Sequence, residues 1–235
     1  MPRKTLISIS ATALLLACAA AYQQTPAGSH IQERVVELLQ KHHAPLLSSS
    51  SIPPMLIQAV LATEDERFYQ HRGIDPIAVA RAALFDASHA CWCQGGSTIT
   101  QQLVKLAYLH GSDRGPGKLV DAAVAVKVEG VIDKAQILAD YLSLIPTGPD
   151  LYGVAQASCA YFSRPVDKVQ LSDFALLAGL TQAPSLYDPL IHPSAARLRR
   201  QEVLADMVAN RDITYQQANM AATQPLTLAG GSAAC

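Results

Sequence analysis

Two stretches of this chain collect side chains that can move protons. The first is Thr63-Glu64-Asp65-Glu66-Arg67-Phe68-Tyr69-Gln70-His71-Arg72-Gly73-Ile74-Asp75. If the run from Leu56 is helical, Glu64, Phe68 and His71 follow each other at spacings of four and three and share one stripe. A carboxylate, an aromatic ring and an imidazole on one face can do acid/base chemistry. Gly73 then ends the helix and turns the chain. The second stretch is Gly95-Gly96-Ser97-Thr98-Ile99-Thr100-Gln101-Gln102-Leu103-Val104-Lys105. Thr98 and Gln101 have the spacing of a capping box, which opens a helix. On that helix Ile99, Leu103 and Leu106 form an apolar stripe, and Thr98, Gln102 and Lys105 share another face. A solvated helix end capped by a histidine would show the same residues, so spacing alone does not decide the chemistry.

These stretches need a frame of helices to hold them. The spacing predicts helices over His30–Lys41, Met55–Tyr69, Asp75 to about Asp86, Thr98–Lys105, Lys118–Val131 and Asp133–Leu144. Asp133 and Gln136 cap the last of these. Pro146-Thr147-Gly148-Pro149-Asp150 is a turn cluster. Further helices are expected from Val154 to Phe162, Ser172 to Thr181, Ser194 to Asn210 and Thr214 to Ala222, with no strand alternation and no internal repeat. A chain of 235 residues, half of them hydrophobic, suffices for one mainly α domain with a sizeable core. The formal net charge of −1 gives no bulk basicity for nucleic acid.

The N-terminus has the shape of an export signal, with Met1-Pro2-Arg3-Lys4 ahead of an apolar run from Thr5 to Ala21. That run, about 17 residues, is at the lower limit for spanning a bilayer. Leu14-Leu15-Leu16-Ala17-Cys18 looks like a bacterial lipobox, which would make Cys18 the site of lipidation. The alternative is an uncleaved anchor. Either way the domain is expected outside the cytoplasm, on the periplasmic face, tethered to a membrane. In an oxidising compartment Cys91, Cys93, Cys159 and Cys235 suggest disulfides, with three possible pairings. Cys91 and Cys93 would close a very tight ring together, so each is expected to pair elsewhere. His89-Ala90-Cys91-Trp92-Cys93 also admits a metal cluster. The expected organisation is a signal or anchor at 1–21, a tether and first helix at 22–51, the main domain at 52–228 and a tail at 229–235.

Taken together, the two stretches resemble the first two signature motifs of the family 51 peptidoglycan glycosyltransferases, E-D-x-x-F-x-x-H-x-G-x-D and G-G-S-T-I-T-Q-Q-L-x-K, without a mismatch. This is the glycan-polymerising domain of class A penicillin-binding proteins and of monofunctional transglycosylases. Lys134-Ala135-Gln136-Ile137-Leu138 with Tyr141-Leu142, Leu176-Leu177-Ala178-Gly179-Leu180, Gln182-Ala183-Pro184-Ser185 and Tyr187-Asp188-Pro189 resemble later segments of the same family. The resemblance implies a lysozyme-like helical head with a small apolar jaw facing the membrane. It implies lipid II and a growing glycan chain as substrates and cell-wall synthesis proteins as partners. A divalent metal, Mg or Mn, is an optional aid, and no organic cofactor is implied. No S-x-x-K occurs, so penicillin binding is not expected.

By position, Glu64 matches the family's catalytic base, and Asp65, Phe68 and His71 match its neighbours. Ser97, Thr98, Gln101, Gln102 and Lys105 match the cleft-lining motif, with Lys105 as the pyrophosphate partner. The Gly-rich approach to that helix adds backbone N–H groups at its positive end. The third motif, R-K-x-x-E-x-x-x-A-x-x-L-E, fits less well. Lys118, Ala125 and Glu129 match it, but Gly117 replaces the arginine and Asp121 replaces the second active-site glutamate. Ser143 and Leu106 stand where the family has asparagine. The expected function is polymerisation of lipid II. The alternatives are a degenerate, non-catalytic lipoprotein that binds lipid II or glycan, and a lytic, glycan-cleaving enzyme.

Overall fold

The computed structural model describes residues 23, 25–89, 96–109, 117–230, 232 and 235. Among the described residues the first α-helices given full bounds are α1 (Ile31–Lys41), α2 (Pro54–Glu64), α3 (Pro76–His89) and α4 (Ile99–Val104), the last continuing as a π-helical turn over Lys105–Leu109. Then come α5 (Gly117–Glu129), α6 (Lys134–Leu144), strands β1 (Pro146–Gly148) and β2 (Leu151–Tyr152), and helices α7 (Gly153–Phe162), α8 (Leu171–Leu180), α9 (Pro193–Ala209) and α10 (Tyr215–Thr223). The mainly helical class expected from the sequence is the class observed.

Hydrophobic patterning explains how these helices assemble. Helix α8 is apolar on every side and buried from Phe174 to Leu180, so it forms the centre, flanked by α2 and α9. Helix α4 lies against α5 and α6, and α1 lies against α6. Ile31, Val35, Leu38 and Leu39 of α1 enter the same core cluster as Leu103, Val124 and Leu142. The first helix therefore belongs to the body of the domain. Each fully buried Leu or Ile contributes about 1.5–3 kcal/mol relative to leaving it in water.

Two expectations change in the structure and a third is narrowed. Helix α2 ends at Glu64, and Asp65 leaves the helical region with φ −161°. Phe68–Gln70 is a separate 3-10 turn, so Glu64, Phe68 and His71 share no helical stripe. Next, the turn cluster carries a small antiparallel hairpin in which Pro146 pairs with Tyr152 and Gly148 with Leu151. The strands are too short for alternation to show, and Tyr161 Oη holds them by donating to the Thr147 carbonyl at 3.2 Å. Finally, Cys159 is bonded to Cys235. That bond joins two of the four cysteines for which three pairings were open. Cys91, Cys93 and Cys18 lie outside the described residues, as does the segment expected as signal or anchor. Among the described residues no helix is long and apolar enough to cross a membrane.

Candidate active site

Glu64 and Asp65 are adjacent, yet the break between them sends their carboxylates in opposite directions. Glu64, half-buried at the end of α2, is held at both oxygens. Its Oε2 accepts from Gln102 Nε2 at 2.8 Å, and its Oε1 accepts from Thr181 Oγ1 at 3.0 Å. Gln102, on α4, is oriented in turn, because its Oε1 accepts from the Tyr141 hydroxyl at 3.0 Å. Burial pushes the Tyr141 phenol far above its usual range, and the nearby Glu64 carboxylate adds to the effect. Tyr141 thus stays a neutral donor, and the Gln102 amide keeps its NH2 turned towards Glu64.

Asp65 faces inward. Both its oxygens lie 3.0 Å from His71 Nε2, and Oδ2 also accepts from the Ile99 backbone N–H at 3.0 Å. A carboxylate at the first amide of α4 satisfies a donor that the helix cannot and suits the positive end of the helix. Lys134 Nζ approaches His71 Nδ1 at 3.4 Å, which leaves the Nε2 proton for Asp65. The same ammonium donates to Glu129 Oε1 at 2.8 Å and stands 4.2 Å over the Phe68 ring. Thr100 Oγ1 completes the cluster by donating to Glu129. Asp65, His71, Glu129, Lys134 and Thr100 thus tie the loop after α2 to the starts of α4 and α6 and the end of α5.

This geometry reassigns several expected substrate contacts. Asp65, Phe68 and His71 are buried, and the Asp65–His71 pair locks the loop. The Glu129 side chain is 4% exposed and committed to Lys134 and Thr100. Thr98 is 1% exposed, and its hydroxyl donates to the Gly73 carbonyl at 2.7 Å and accepts from Gln101 N–H. Gln101 returns the bond to Thr98 N–H, so both residues serve the helix cap. Gly73, with φ +82°, comes so close to α5 that a Cβ would meet Val126 N at 2.6 Å. Ser97 is exposed at the approach to α4. Ser143 is buried, accepting from Leu47 N–H and donating to the Ala139 carbonyl, which makes it a part of the frame.

Lys105, Lys118 and Asp121 form a second charged group, near enough to act on one another electrostatically. Lys105 follows Gln102 by one turn and opens the π-helical segment. Asp121 is buried, and its Oδ1 has no hydrogen-bond partner among the described residues. Burial raises its pKa, and the positive charges of Lys105 and Lys118 oppose the rise. Gly95 of the second motif lies outside the described residues. The described residues hold no group of three or more His, Cys, Asp or Glu side chains able to hold a metal. Mg2+ is usually bound by one or two carboxylates with substrate phosphates, and Asp121 is the carboxylate that feels the charges of both lysines.

Sequence reasoning missed Thr181 and gave no role to Tyr141, Lys134 or Thr100. Tyr141 and Lys134 sit in a segment whose resemblance was visible, whereas Thr181 carried no signal. Between Glu64 and the loop, Arg67 pairs with Asp75, whose Oδ1 caps α3 through Ile77 and Ala78 N–H at 2.9 and 3.0 Å. Helix α3 buries only Ala82 and leaves Ile77 64% and Leu84 73% exposed.

The domain fixes the Glu64 carboxylate between α4 and the end of α8 and sets the charges of Lys105 and Lys118 around Asp121. The family model described as Transglycosylase matches residues 31–208, and the chain belongs to that family, the peptidoglycan glycosyltransferases. The match starts at α1, upstream of the boundary expected at residue 52. The chain is 41% identical over 182 residues to penicillin-binding protein 1A of Aquifex aeolicus, covering 77% of this chain and 25% of that protein. It is 36% identical over 194 residues to penicillin-binding protein 1A of Escherichia coli, covering 83% of this chain and 23% of that one. It thus spans about a quarter of the length of these relatives. The crystal structure of penicillin-binding protein 1A from Haemophilus influenzae aligns with a TM-score of 0.48 at 22% identity, over 80% of this chain and 18% of that one.

Proposed function

We propose that the protein polymerises lipid II into glycan strands, releasing undecaprenyl pyrophosphate, with Glu64 as the general base. The observation that carries this reading is the clamp on Glu64. A half-buried carboxylate held by Gln102 and Thr181 keeps lone pairs available to an incoming hydroxyl. In the reaction, the 4-hydroxyl of one GlcNAc attacks the anomeric carbon of MurNAc on the growing chain, with inversion. Its proton passes to Glu64, and the pyrophosphate departs towards Lys105 and Lys118. A positioned base supplies about 10²–10⁴-fold in rate, and the cations stabilise charge that grows in the transition state. Pyrophosphate is already a good leaving group, so a protonated second carboxyl is less needed than in glycoside hydrolysis. The apolar surface of α3 suits a face turned to the membrane that carries the lipid tails. Export and a tether through Cys18 or an uncleaved anchor belong to the same proposal. Mass spectrometry of the membrane-bound chain separates a lipidated Cys18 from an intact N-terminal segment.

One observation favours a second reading. Gly117 and the buried Asp121, whose Oδ1 has no hydrogen-bond partner among the described residues, leave the third motif short of one cation and with a shorter carboxylate, as in a non-catalytic protein that holds lipid II or glycan. Incubating the protein with lipid II and Mg2+ decides. Polymer and free undecaprenyl pyrophosphate support the polymerase, binding without turnover supports the scaffold, and anhydro-muropeptides from finished glycan would indicate a lytic enzyme.

A further inference from the structure

Thr181, the first residue after α8, is buried with the Tyr141 hydroxyl beside its own, and it offers one hydroxyl proton to a carboxylate and a carbonyl oxygen. Its Oγ1 lies 3.0 Å from Glu64 Oε1 and 2.7 Å from the Ala178 carbonyl oxygen. A hydroxyl donates once and accepts through its lone pairs, so only one of the two contacts is a donation at any moment. The opposite side of Glu64 lacks this freedom. Gln102 Nε2 can only donate, and the Tyr141 hydroxyl on Gln102 Oε1 fixes which way the amide faces.

We propose that Thr181 is a positioning residue that lets Glu64 hold both protonation states in one place, and that Glu64 takes its proton on Oε1, the oxygen beside Thr181. The inference rests on the reading of Glu64 as the base. In the ionised state the Thr181 hydroxyl donates to Oε1. When the sugar hydroxyl attacks, its oxygen bonds to the anomeric carbon, the bond to pyrophosphate breaks, and the hydroxyl proton forms a bond to Oε1. The Thr181 hydrogen then swings to the Ala178 carbonyl, a back-bond that threonines at helix ends make readily. An Oγ1 lone pair accepts from the new Glu64 O–H. Proton release runs the same exchange backwards. A proton on Oε2 would meet the Gln102 NH2, a donor facing a donor.

The ionisable groups around Glu64 do not account for this asymmetry. Its own segment contributes Asp65, turned away into the His71 pair, and exposed Glu66. The α4 side contributes Lys105, one turn beyond Gln102, and α6 contributes the neutral Tyr141 phenol. From α9, Asp206 accepts from Thr63, one residue before Glu64, and the charge of Arg199 acts on Asp206. The hydroxyl that donates to Oε1 is that of Thr181.

Thr181→Val removes the donor at nearly constant shape, and Thr181→Ser restores it. Glu64 is followed by ¹³C-carboxyl NMR titration, its resonance assigned by its loss in Glu64→Gln, and in parallel by kcat/KM for lipid II against pH. In the Val variant the Glu64 titration and the acid limb of the profile should both move up by about one to two pH units, the range of a hydrogen bond to a charged group. The Ser variant should stay within a few tenths of a unit of wild type. A wild-type Glu64 titration in Thr181→Val, or a Ser variant displaced as far as Val, overturns the proposal. Thr181→Ala replaces Val if the larger methyl group disturbs the helix end. The titration needs no turnover. A shifted carboxyl in a protein that makes no polymer would uphold the Thr181 assignment and reject Glu64 as the base.

Discussion

Glu64 and Asp65 show how one residue of backbone divides two carboxylates between chemistry and architecture. The extended Asp65 points inward to His71 and Ile99 N–H, and Glu64 is left at the helix end facing Gln102 and Thr181. Glu64→Gln keeps the shape and the Thr181 contact but cannot take a proton. It should lower lipid II turnover by about 100-fold or more with the circular dichroism unchanged. A rate close to wild type would remove Glu64 from the mechanism. Asp121 is the residue whose side-chain length is in question. One methylene fewer than glutamate withdraws the carboxylate by about 1.5 Å, and a displacement of that size can cost on the order of 100-fold. Asp121→Glu, alone and with Gly117→Arg, should therefore raise turnover, most in the double variant. No gain in either, with wild type also inert, favours the binding scaffold. Glu64 was legible in the sequence because it stands inside an unbroken motif. Its clamp was not, since Gln102 and Thr181 are 38 and 117 residues away and only packing brings them there.

At the scale of elements, helices announced by periodicity and caps were, α2 apart, readable to within about three residues. Asp133 accepts from Gln136 N–H, and Thr214 and Gln217 close a capping box, as their spacing requires. The misreading at α2 has a physical cause. Local preference allowed the helix to run on through Phe68, but the tertiary bonds of Asp65 and the positive φ of Gly73 against α5 required a loop. Strands of three and two residues left no alternation to read. Helix α3 is the element whose burial is least satisfied. Ile77→Asp with Leu84→Asp removes apolar surface worth roughly 1.5–3 kcal/mol per side chain if that surface is buried in lipid. Binding to phosphatidylglycerol vesicles, measured by co-sedimentation, should fall at least about tenfold with helicity unchanged. Equal binding by the variant would exclude α3 as the membrane-facing surface.

Across the whole molecule, the end of the chain is drawn back onto the core. Buried Arg200 of α9 donates to the carbonyls of Ala222 and Gln224, Ala229 N–H reaches the Tyr161 carbonyl at 2.9 Å, and Cys235 closes onto Cys159. The disulfide spans 76 residues, for which chain entropy alone gives a stabilisation of about 4 kcal/mol. Cys159→Ser with Cys235→Ser should lose much of that, read as a lower urea midpoint. A reducing agent should reproduce the loss in wild type and leave the variant unchanged. The same tightness at the centre of the molecule bears on solvent exchange. First-turn amides of a helix normally have no partner within it and trade hydrogen with water early. The Ile99 amide of α4 is instead bonded to a carboxylate that is itself locked by His71, under a side chain with no exposed surface. It can exchange only when Asp65 lets go, so deuterium reaches that one position at the rate at which the whole catalytic loop opens.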